Sequence, residues 1–325
     1  MIGILSEETD AAWNLAAEEY LMEKVDGWCF LVYRNAPSVV VGRNQNAAAE
    51  ADVLFTCENG IPVLRRISGG GAVYHDMGNV NYAFIEAERE RGRRSFEDFM
   101  EPVAAFLRSV GAPVQKDGRS DLGIDGLKIS GNAQCRRRGK ILHHGTVLFD
   151  ADLSLLQRAL RPSRAPYADK AVASVRRPVT NVRPFLKRDM NADDFMERLF
   201  DAMQRLFGFR RISLTQADRE AVSDGARRKY KSWEWNFGAS PPYRLEREAV
   251  TPGGILRIRL DVVRGKIENA LLEGASGNGD LLRRVQEALR GVPHLPQPIL
   301  AALEKTAALP AFSRAGMENL LAFLF

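Results

Sequence analysis

The 325-residue sequence has little cysteine and little histidine, and each shortage excludes a class of protein. Its three cysteines, Cys29, Cys57 and Cys135, are scattered, odd in number and without a CxxC pair. This pattern argues against a disulfide framework and a structural zinc site, and it predicts free thiols in a reducing compartment. Four histidines are present, and their spacing does not match a zinc-binding motif.

Long apolar runs are also missing, and the first residues contain no basic segment followed by an apolar stretch. We therefore expect a cytoplasmic protein with no signal peptide and no contact with a membrane. The net charge is +5, but the arginines are spread along the chain and no patch interleaves aromatic with basic residues. The charge thus favours acidic ligands or an acidic protein partner, and we expect no binding to nucleic acid.

The most informative segment, residues 65–76, leaves a predicted strand and turns through three consecutive glycines. Residues 69–71 lack side chains, so their backbone N–H groups can approach a ligand closely, and Arg65 and Arg66 add positive charge. Rows of backbone N–H groups favour anions, so the segment predicts a site for a phosphate-bearing ligand. The alternative is a flexible connection between strands, because a glycine-rich loop is a weak signal by itself.

Two other segments carry candidate site residues. Lys128 is the only ionisable residue in a predicted apolar strand over 127–133. A buried lysine needs an anionic partner, although this one could instead lie at a hairpin end with its ammonium in water. His143 and His144 are adjacent on another predicted strand, so only one of them can face a given site.

The pattern of apolar residues predicts a fold that mixes helices with a largely antiparallel sheet. Residues 137–140 are expected to form a hairpin tip, and a change in composition at 238–242 indicates a boundary before a smaller α+β unit. Helices are expected at 10–24, 46–59, 95–110, 152–160 and 191–207, and strands at 30–33, 38–41, 79–85, 121–124, 127–133 and 141–149.

Several long motifs occur in one order along nearly the whole chain, and together they resemble the lipoate–protein ligase A family. The similarity is to the full-length type with a C-terminal accessory domain. The motifs are Asn14-Leu15-Ala16-x-Glu18-Glu19, Val41-Gly42-Arg43-x-Gln45-Asn46, residues 65–79, Lys128-Ile129-Ser130-Gly131-Asn132-Ala133, His143-His144-Gly145-Thr146, Ser174-Val175-Arg176, Val179-Thr180-Asn181 and residues 232–238.

The resemblance implies an α+β fold, with a catalytic domain like those of class II aminoacyl-tRNA synthetases and biotin–lipoate ligases over residues 1–243. A smaller α+β accessory domain is implied for residues 244–325. The implied reaction uses ATP, Mg²⁺ and lipoate to form lipoyl-AMP and pyrophosphate. The lipoyl group then passes to a lysine of an apo lipoyl-domain protein, either a 2-oxoacid dehydrogenase acyltransferase subunit or the glycine-cleavage H protein.

The resemblance also implies roles for individual residues. Lys128 is the expected catalytic residue, bridging the lipoyl carbonyl oxygen and the α-phosphate, where charge grows in the transition state. Asp121 is expected to contact the adenylate or Mg²⁺, and the acyl tail to lie near Trp13, Val40 and Val73. We expect a monomer. The other residues expected to bind ATP or lipoyl-AMP are Arg66, Ser68, Gly71, Ala72, Val73, Tyr74, His75 and His144.

Two other functions stay open. An ATP-independent octanoyl or lipoyl transferase would need a nucleophilic cysteine, but residues 161–177 contain none, and Cys135 suits a packed thiol better. A non-catalytic lipoate- or nucleotide-binding protein of the same fold would not need Lys128 together with Arg66 and the histidines.

Overall fold

The computed structural model describes residues 1–87, 95–160, 166–251, 254–274, 279–305 and 314–325. The chain divides into two compact units. The first comprises Met1–Arg43, Leu64–Leu156 and Ser174–Ser232, and the second comprises Asn44–Val63, Gln157–Ala173 and Trp233–Phe325. None of the helices in these ranges has the length and apolar character that a membrane span requires.

The first unit is built on an eight-stranded sheet with the order β12-β1-β2-β6-β10-β9-β8-β7. The β1–β2 and β1–β12 pairs are parallel, and the pairs among β2, β6, β10, β9, β8 and β7 are antiparallel. The strands of this sheet are β1 (Ile2–Leu5), β2 (Cys29–Arg34), β6 (Asn79–Ala87), β7 (Gln115–Asp117), β8 (Asp121–Ile124), β9 (Leu127–Arg137), β10 (Lys140–Leu148) and β12 (Arg210–Arg211).

Helices cover both faces of this sheet. Helices α4 (Phe96–Ser109) and α6 (Ala192–Phe207) pack their apolar residues against one face, where Phe84 and Phe99 lie in the main core. Helix α1 (Ala11–Lys24) begins at the N-cap Asp10 and packs on the opposite face, with Leu21 against Leu31 in a smaller core. A capping box of Ser95 and Asp98 starts α4, and Gly208 in the left-handed conformation ends α6.

A separate three-stranded sheet has the order β4-β3-β5 and lies before and after the glycine segment in sequence. Its strands are β3 (Ser38–Val41), β4 (Val63–Arg65) and β5 (Val73–His75). The remaining helical segments of the first unit are α7 (Gln216–Gly225), the π-helical turn Ala226–Tyr230 and the 3-10 turn Arg183–Phe185, and helix α5 (Leu153–Ala159) begins in the first unit and ends in the second.

The second unit has a four-stranded sheet with the order β11-β13-β14-β15, covered on its apolar face by residues such as Val285, Leu289 and Ile299. Arg264 and Gly265, both with positive φ, form the turn between β14 and β15. Its elements are α2 (Ala47–Glu50), α3 (Val53–Glu58), β11 (Tyr167–Asp169), the π-helical turn Glu234–Gly238, β13 (Tyr243–Thr251), β14 (Gly254–Val263), β15 (Lys266–Gly274), α8 (Gly279–Leu289), α9 (Pro296–Glu304) and α10 (Arg314–Leu324).

Most predicted elements are confirmed, and one local expectation is corrected. The strands over 30–33 and 38–41 both form and lie in different sheets, and both edges of β2 are paired, with β1 and β6. The helix expected over 46–59 is two short helices, because Ala51 is extended and pairs with Leu160. Asp52 then caps the second helix. Helix α7 was not expected from the sequence.

Candidate active site

The guanidinium of Arg66 forms hydrogen bonds with the carbonyl oxygens of the glycine loop (residues 69–71). Its Nη2 donates to the carbonyl oxygens of Gly69 at 2.6 Å and Gly71 at 2.8 Å, and its Nη1 donates to Val40 O at 3.1 Å. Burial lowers the pKa of Arg66 to about 10, so it stays charged at neutral pH. Arg66 therefore fixes the carbonyls on one side of the loop.

The backbone N–H groups of the same loop are available to bind a ligand. Across the described ranges, the N–H groups of Gly69, Gly70 and Gly71 donate to no protein acceptor, whereas Ala72 N donates to Ser174 Oγ at 2.8 Å. Gly42 allows the loop to lie close, because a Cβ at this position would be 2.1 Å from Gly70 O. The arrangement is that of a backbone site for an anion.

A buried hydrogen-bonded relay connects the loop to helix α1. Ser68 Oγ accepts from Arg66 Nε at 2.9 Å and lies 2.6 Å from Nε2 of His144. The Nδ1 of His144 lies 2.8 Å from Glu18 Oε2, and the hydroxyl of Tyr33 donates to Glu18 Oε1 at 2.9 Å. Burial, followed by the Glu18 charge, raises the pKa of Tyr33 well above its ordinary value, so the phenol stays protonated.

His143 faces the other side of the sheet, as strand alternation requires. Its ring stacks on Phe99 with centroids 4.8 Å apart, and it contacts the side chains of Gln134 and Asn132. Burial lowers the pKa of His143 to about 3. The prediction that only one of the two adjacent histidines faces the site is confirmed, and that residue is His144.

A β-bulge turns Lys128 towards the same region. The pairing of β8 with β9 shifts register between Leu122 and Gly123, and beyond the shift Asp121 lies opposite Gly131. The ammonium of Lys128 is 3.0 Å from Asp121 Oδ1 and would be 2.9 Å from a Cβ on Gly131. Glycine at position 131 therefore leaves the space that the lysine occupies.

Lys128 and the glycine loop lie close together on one face of the sheet. A Cβ on Gly70 would be 3.7 Å from the Cβ of Ala133, and Ala133 is two residues from Gly131 on the same strand. Alternate residues of a strand share a face, so Ala133 and Gly131 lie on the same face. The loop contacts the first of these positions, and the ammonium of Lys128 lies over the second. An anion-binding loop and a fixed ammonium thus form one site.

Further charges surround Asp121. Arg177 forms an ion pair with Asp117, and its Nη1 is 3.6 Å from Asp121 Oδ2. The hydrogen bond to Asp117 raises the pKa of Arg177. Two carboxylates therefore alternate with two cations at this end of the site, and Arg177 and Asp117 were not expected from the sequence.

The other predicted contacts lie around the same loop. His75 is buried beside Asn35, with Nδ1 2.9 Å from the amide nitrogen. Val73 is half-buried, whereas Tyr74 is buried and burial raises its pKa to about 12. The indole nitrogen of Trp13 donates to Ser223 Oγ at 3.1 Å. The roles of these residues stay predictions.

Sequence reasoning assigned no role to Asn14, Glu18, Tyr33 or Asn35, although Asn14 and Glu18 lie in a quoted motif. Both are essentially buried in α1, at 0% and 1% exposure. They are one helical turn apart, so they share a face. The available signal was that these two polar residues lie four apart among apolar residues in the first part of the helix.

Cys29 and Cys135 show no sign of activation in the described structure. Burial raises the pKa of Cys135 and raises that of Cys29 to about 12. A nucleophilic cysteine needs the opposite shift. Of the segment 161–177 considered for a transferase cysteine, residues 161–165 lie outside the described residues.

Two family models and several curated proteins match the chain. The model of the lipoyl protein ligase A/B catalytic domain matches residues 10–204, and that of the bacterial lipoate protein ligase C-terminus matches residues 240–324. Lipoate–protein ligase 1 of Staphylococcus aureus is 37% identical over 303 residues, 91% of each chain. Lipoate-protein ligase LplJ of Bacillus subtilis is 34% identical over 325 residues, 97% of each chain.

Solved structures are similar as well. A bipartite lipoate protein ligase from Thermoplasma acidophilum, described with its E2 lipoyl domain, has a TM-score of 0.63 and 26% identity, covering 77% of this chain and 98% of that one. A lipoate-protein ligase A bound with ATP has a TM-score of 0.61 and 26% identity, covering 74% of this chain and 100% of that one. The chain therefore belongs to the lipoate–protein ligase family.

Proposed function

We propose that this chain is an ATP-dependent lipoate–protein ligase, which forms lipoyl-AMP with release of pyrophosphate and then transfers the lipoyl group to a lysine of a lipoyl domain. The observation that carries the proposal is the fixed ammonium of Lys128 on the same sheet face as a loop of unpaired amides. Joining a carboxylate to a phosphate brings two anions together, and their repulsion raises the free energy of the transition state. An ammonium and backbone N–H groups in one site lower this free energy.

Lys128 is the catalytic residue of this proposal. Its ammonium would contact the acyl carbonyl oxygen and the α-phosphate, with Asp121 and Gly131 setting its position. The side chain is 25% exposed, so substrate can reach it. The same contact would polarise the carbonyl when the acceptor lysine attacks, so one group serves both half-reactions.

The glycine loop binds the nucleotide phosphate through the amides of residues 69–71, together with the segment from Ala72 to His75. Arg66 acts as a positioning residue, because its guanidinium is already committed to the carbonyls of the loop. Ser68 and His144 support the loop from α1 through the relay. The N–H groups of the loop are therefore preorganised for an anion before one binds.

Magnesium is expected to accompany ATP, and Asp121 offers a carboxylate beside Lys128. Mg²⁺ commonly takes one or two protein carboxylates and completes its shell with phosphate oxygens and water. Within the described residues no group of three or more His, Cys, Asp or Glu side chains could hold a metal. An ion held by Asp121 and the nucleotide would neutralise phosphate charge.

The partner is an apo lipoyl-domain protein, of the 2-oxoacid dehydrogenase acyltransferase or glycine-cleavage H type. One similar ligase from Thermoplasma acidophilum is described with an E2 lipoyl domain, which supports this partner. We also propose a catalytic domain over residues 1–243, an accessory domain over 244–325, a cytoplasmic location and a monomeric state.

The test is to mix the protein with ATP, Mg²⁺, lipoate and an apo lipoyl domain, and to weigh the acceptor by mass spectrometry. We expect one lipoyl group per acceptor, together with AMP and pyrophosphate. An acceptor in which the modifiable lysine is replaced by arginine is the matched control and should gain no mass. Acceptor modification without ATP would contradict the proposal and favour a transferase, and lipoate binding without pyrophosphate release would favour a non-catalytic protein.

A further inference from the structure

The hydrogen bonds around Asn14 determine which atoms donate and which accept in a second buried network. The amide nitrogen of Asn14 lies 2.8 Å from Glu8 O and 3.2 Å from Arg34 O. Backbone carbonyls only accept, so this atom must be the donating nitrogen. It also lies 2.8 Å from Asn35, and the Asn35 atom that faces it must therefore be the oxygen.

The same reasoning fixes the tautomer of His75. Because Asn35 presents its oxygen to Asn14, its amide nitrogen faces Nδ1 of His75 at 2.9 Å. Nδ1 must then accept, and the neutral ring carries its hydrogen on Nε2. Burial, then the charge of Arg66, lowers the pKa of His75 to about 3, so the ring is neutral at physiological pH.

The Nε2–H group of His75 has no hydrogen-bond partner among the described residues, and it is buried. His75 as a whole is 4% exposed. A buried donor without an acceptor costs free energy, and native proteins tolerate few of them. A fixed neutral donor next to a ligand-binding loop is suited to an uncharged acceptor atom of the ligand.

The strand order gives the separation of Lys128 from Asn35, the hydrogen-bond partner of His75. Asn35 directly follows β2, Lys128 lies on β9, and the order β2-β6-β10-β9 separates them by three strand spacings. At about 4.8 Å per spacing, the backbones of Asn35 and Lys128 are roughly 14 Å apart, and His75 lies beside Asn35. An extended eight-carbon chain of roughly 9 Å, with a hydrogen bond of about 3 Å at each end, spans such a distance.

We propose that His75 Nε2–H donates a hydrogen bond to a sulfur of the lipoyl dithiolane ring, and that Asn35 is the positioning residue that holds His75 in this tautomer. The inference rests on the proposed function, which places the acyl carbonyl at Lys128. It identifies His75 as the residue that distinguishes a dithiolane from a plain alkyl end. Octanoate has the same chain length but no acceptor at that end.

The first test observes the ring directly. Long-range ¹H–¹⁵N spectra of the full-length protein can assign the tautomers of its four histidines. We expect Nε2–H for His75 and Nδ1–H for His144. Added lipoate should shift the His75 Nε2 resonance, whereas octanoate at equal occupancy should not. An Nδ1–H tautomer for His75, or equal shifts with the two acids, would overturn the proposal.

The second test compares two substitutions at position 75. The terminal amide of glutamine reaches about as far as Nε2, whereas that of asparagine does not. We therefore expect His75→Asn to lower the ratio of kcat/KM for lipoate to that for octanoate about tenfold, the loss of one hydrogen bond. His75→Gln should largely restore the ratio. An unchanged ratio in His75→Asn, or an equal loss in both variants, would overturn the proposal.

A control variant alters the hydrogen-bond partner of another buried histidine. Gln134 faces Nδ1 of His143 at 3.1 Å on the opposite face of the sheet, so Gln134→Glu alters a buried histidine away from the ligand. The substrate ratio should stay unchanged in this variant, and a tenfold fall would overturn the assignment to His75. AMP formation with octanoate tests the proposed function separately, because its persistence leaves that function standing even where the dithiolane contact fails.

Discussion

Glu18 accepts a hydrogen bond from Nδ1 of His144 at 2.8 Å, and the two residues are 126 positions apart in sequence. A carboxylate accepts from both of its oxygens, so it satisfies Tyr33 and His144 together. On the other side of the ring, Nε2 of His144 lies 2.6 Å from the hydroxyl oxygen of Ser68. Through His144, the carboxylate on α1 is therefore linked to Ser68, directly before the glycine loop.

Glu18→Gln should disrupt this relay without changing the size of the side chain. A carboxamide has only one accepting atom, so either Tyr33 or His144 would face an NH₂ group. We expect a loss of about 1–3 kcal/mol in the free energy of unfolding, measured in urea, for the unsatisfied buried group. We also expect about a tenfold lower kcat/KM for ATP in pyrophosphate release, because the loop is less well fixed.

Tyr33→Phe is the control for that variant. It removes one hydrogen bond but leaves His144 paired with Glu18, so its effect on ATP kinetics should be smaller. If the two variants lowered kcat/KM for ATP equally, the relay through His144 would not be what positions the loop.

Lys128→Met should remove adenylate formation while preserving the fold. The side chain is partly exposed, so methionine can take its place near Gly131, but the growing charge loses its cation. We expect the rate of lipoate-dependent ATP–pyrophosphate exchange to fall by about 10²–10³-fold. Lys116→Met is a matched control, because Lys116 pairs with Glu97 on the exposed surface. Turnover within threefold of wild type would exclude the role of Lys128.

Local features of the fold could be predicted because short segments determine them. The strand expected over 121–124 has those bounds in the structure, and the hairpin tip at 137–140 places Arg138 and Gly139 at positive φ. Alternation along a strand also separated His143 from His144 without knowledge of the fold. Each of these features depends only on residues that are close together in the sequence.

Features that depend on distant partners could not be predicted. The bulge that orients Lys128 arises from the pairing of β8 with β9, and no local pattern marks its position. The sequence predicted the helix over 10–24 but not the burial of Asn14 and Glu18, whose partners lie on strands or directly after one. Long-range hydrogen bonds of this kind compensate the burial of polar residues, and composition does not reveal them.

Cys135→Ala tests whether a thioester is involved in acyl transfer. Burial raises the pKa of this thiol, so little thiolate exists at neutral pH. We expect ATP-dependent transfer of lipoate to an apo lipoyl domain to proceed within twofold of the wild-type rate. Iodoacetamide treatment of wild type gives an independent check, and loss of transfer in the Cys135→Ala variant would indicate a cysteine nucleophile.

Gly42→Ala should displace the glycine loop. A Cβ at position 42 would lie 2.1 Å from Gly70 O, which is backbone and cannot rotate away. We expect a loss of about 1–3 kcal/mol in the free energy of unfolding, as for other overpacked sites, and weaker ATP binding by calorimetry. Gly27→Ala is the control, because a Cβ there would meet nothing within 4 Å. Unchanged ATP affinity in Gly42→Ala would exclude this part of the loop from nucleotide binding.

Two buried histidines should make the protein less stable in mild acid. The pKa values of His75 and His143 are both about 3 in the folded state, against about 6.5 for a solvated histidine. The unfolded chain therefore binds more protons between these values, and stability falls as the pH drops below about 6.5. At pH 5 the loss is about 2 kcal/mol per histidine. Urea unfolding at pH 5, 6 and 7 measures it.

His143→Gln isolates one of the two contributions, since glutamine keeps a polar group beside Gln134 and Asn132 but does not titrate. The variant should be less stable at pH 7, where the stacking on Phe99 is lost, but it should lose only about half as much stability as wild type between pH 7 and pH 5. A pH dependence as steep as that of wild type would mean that other groups control the acid response.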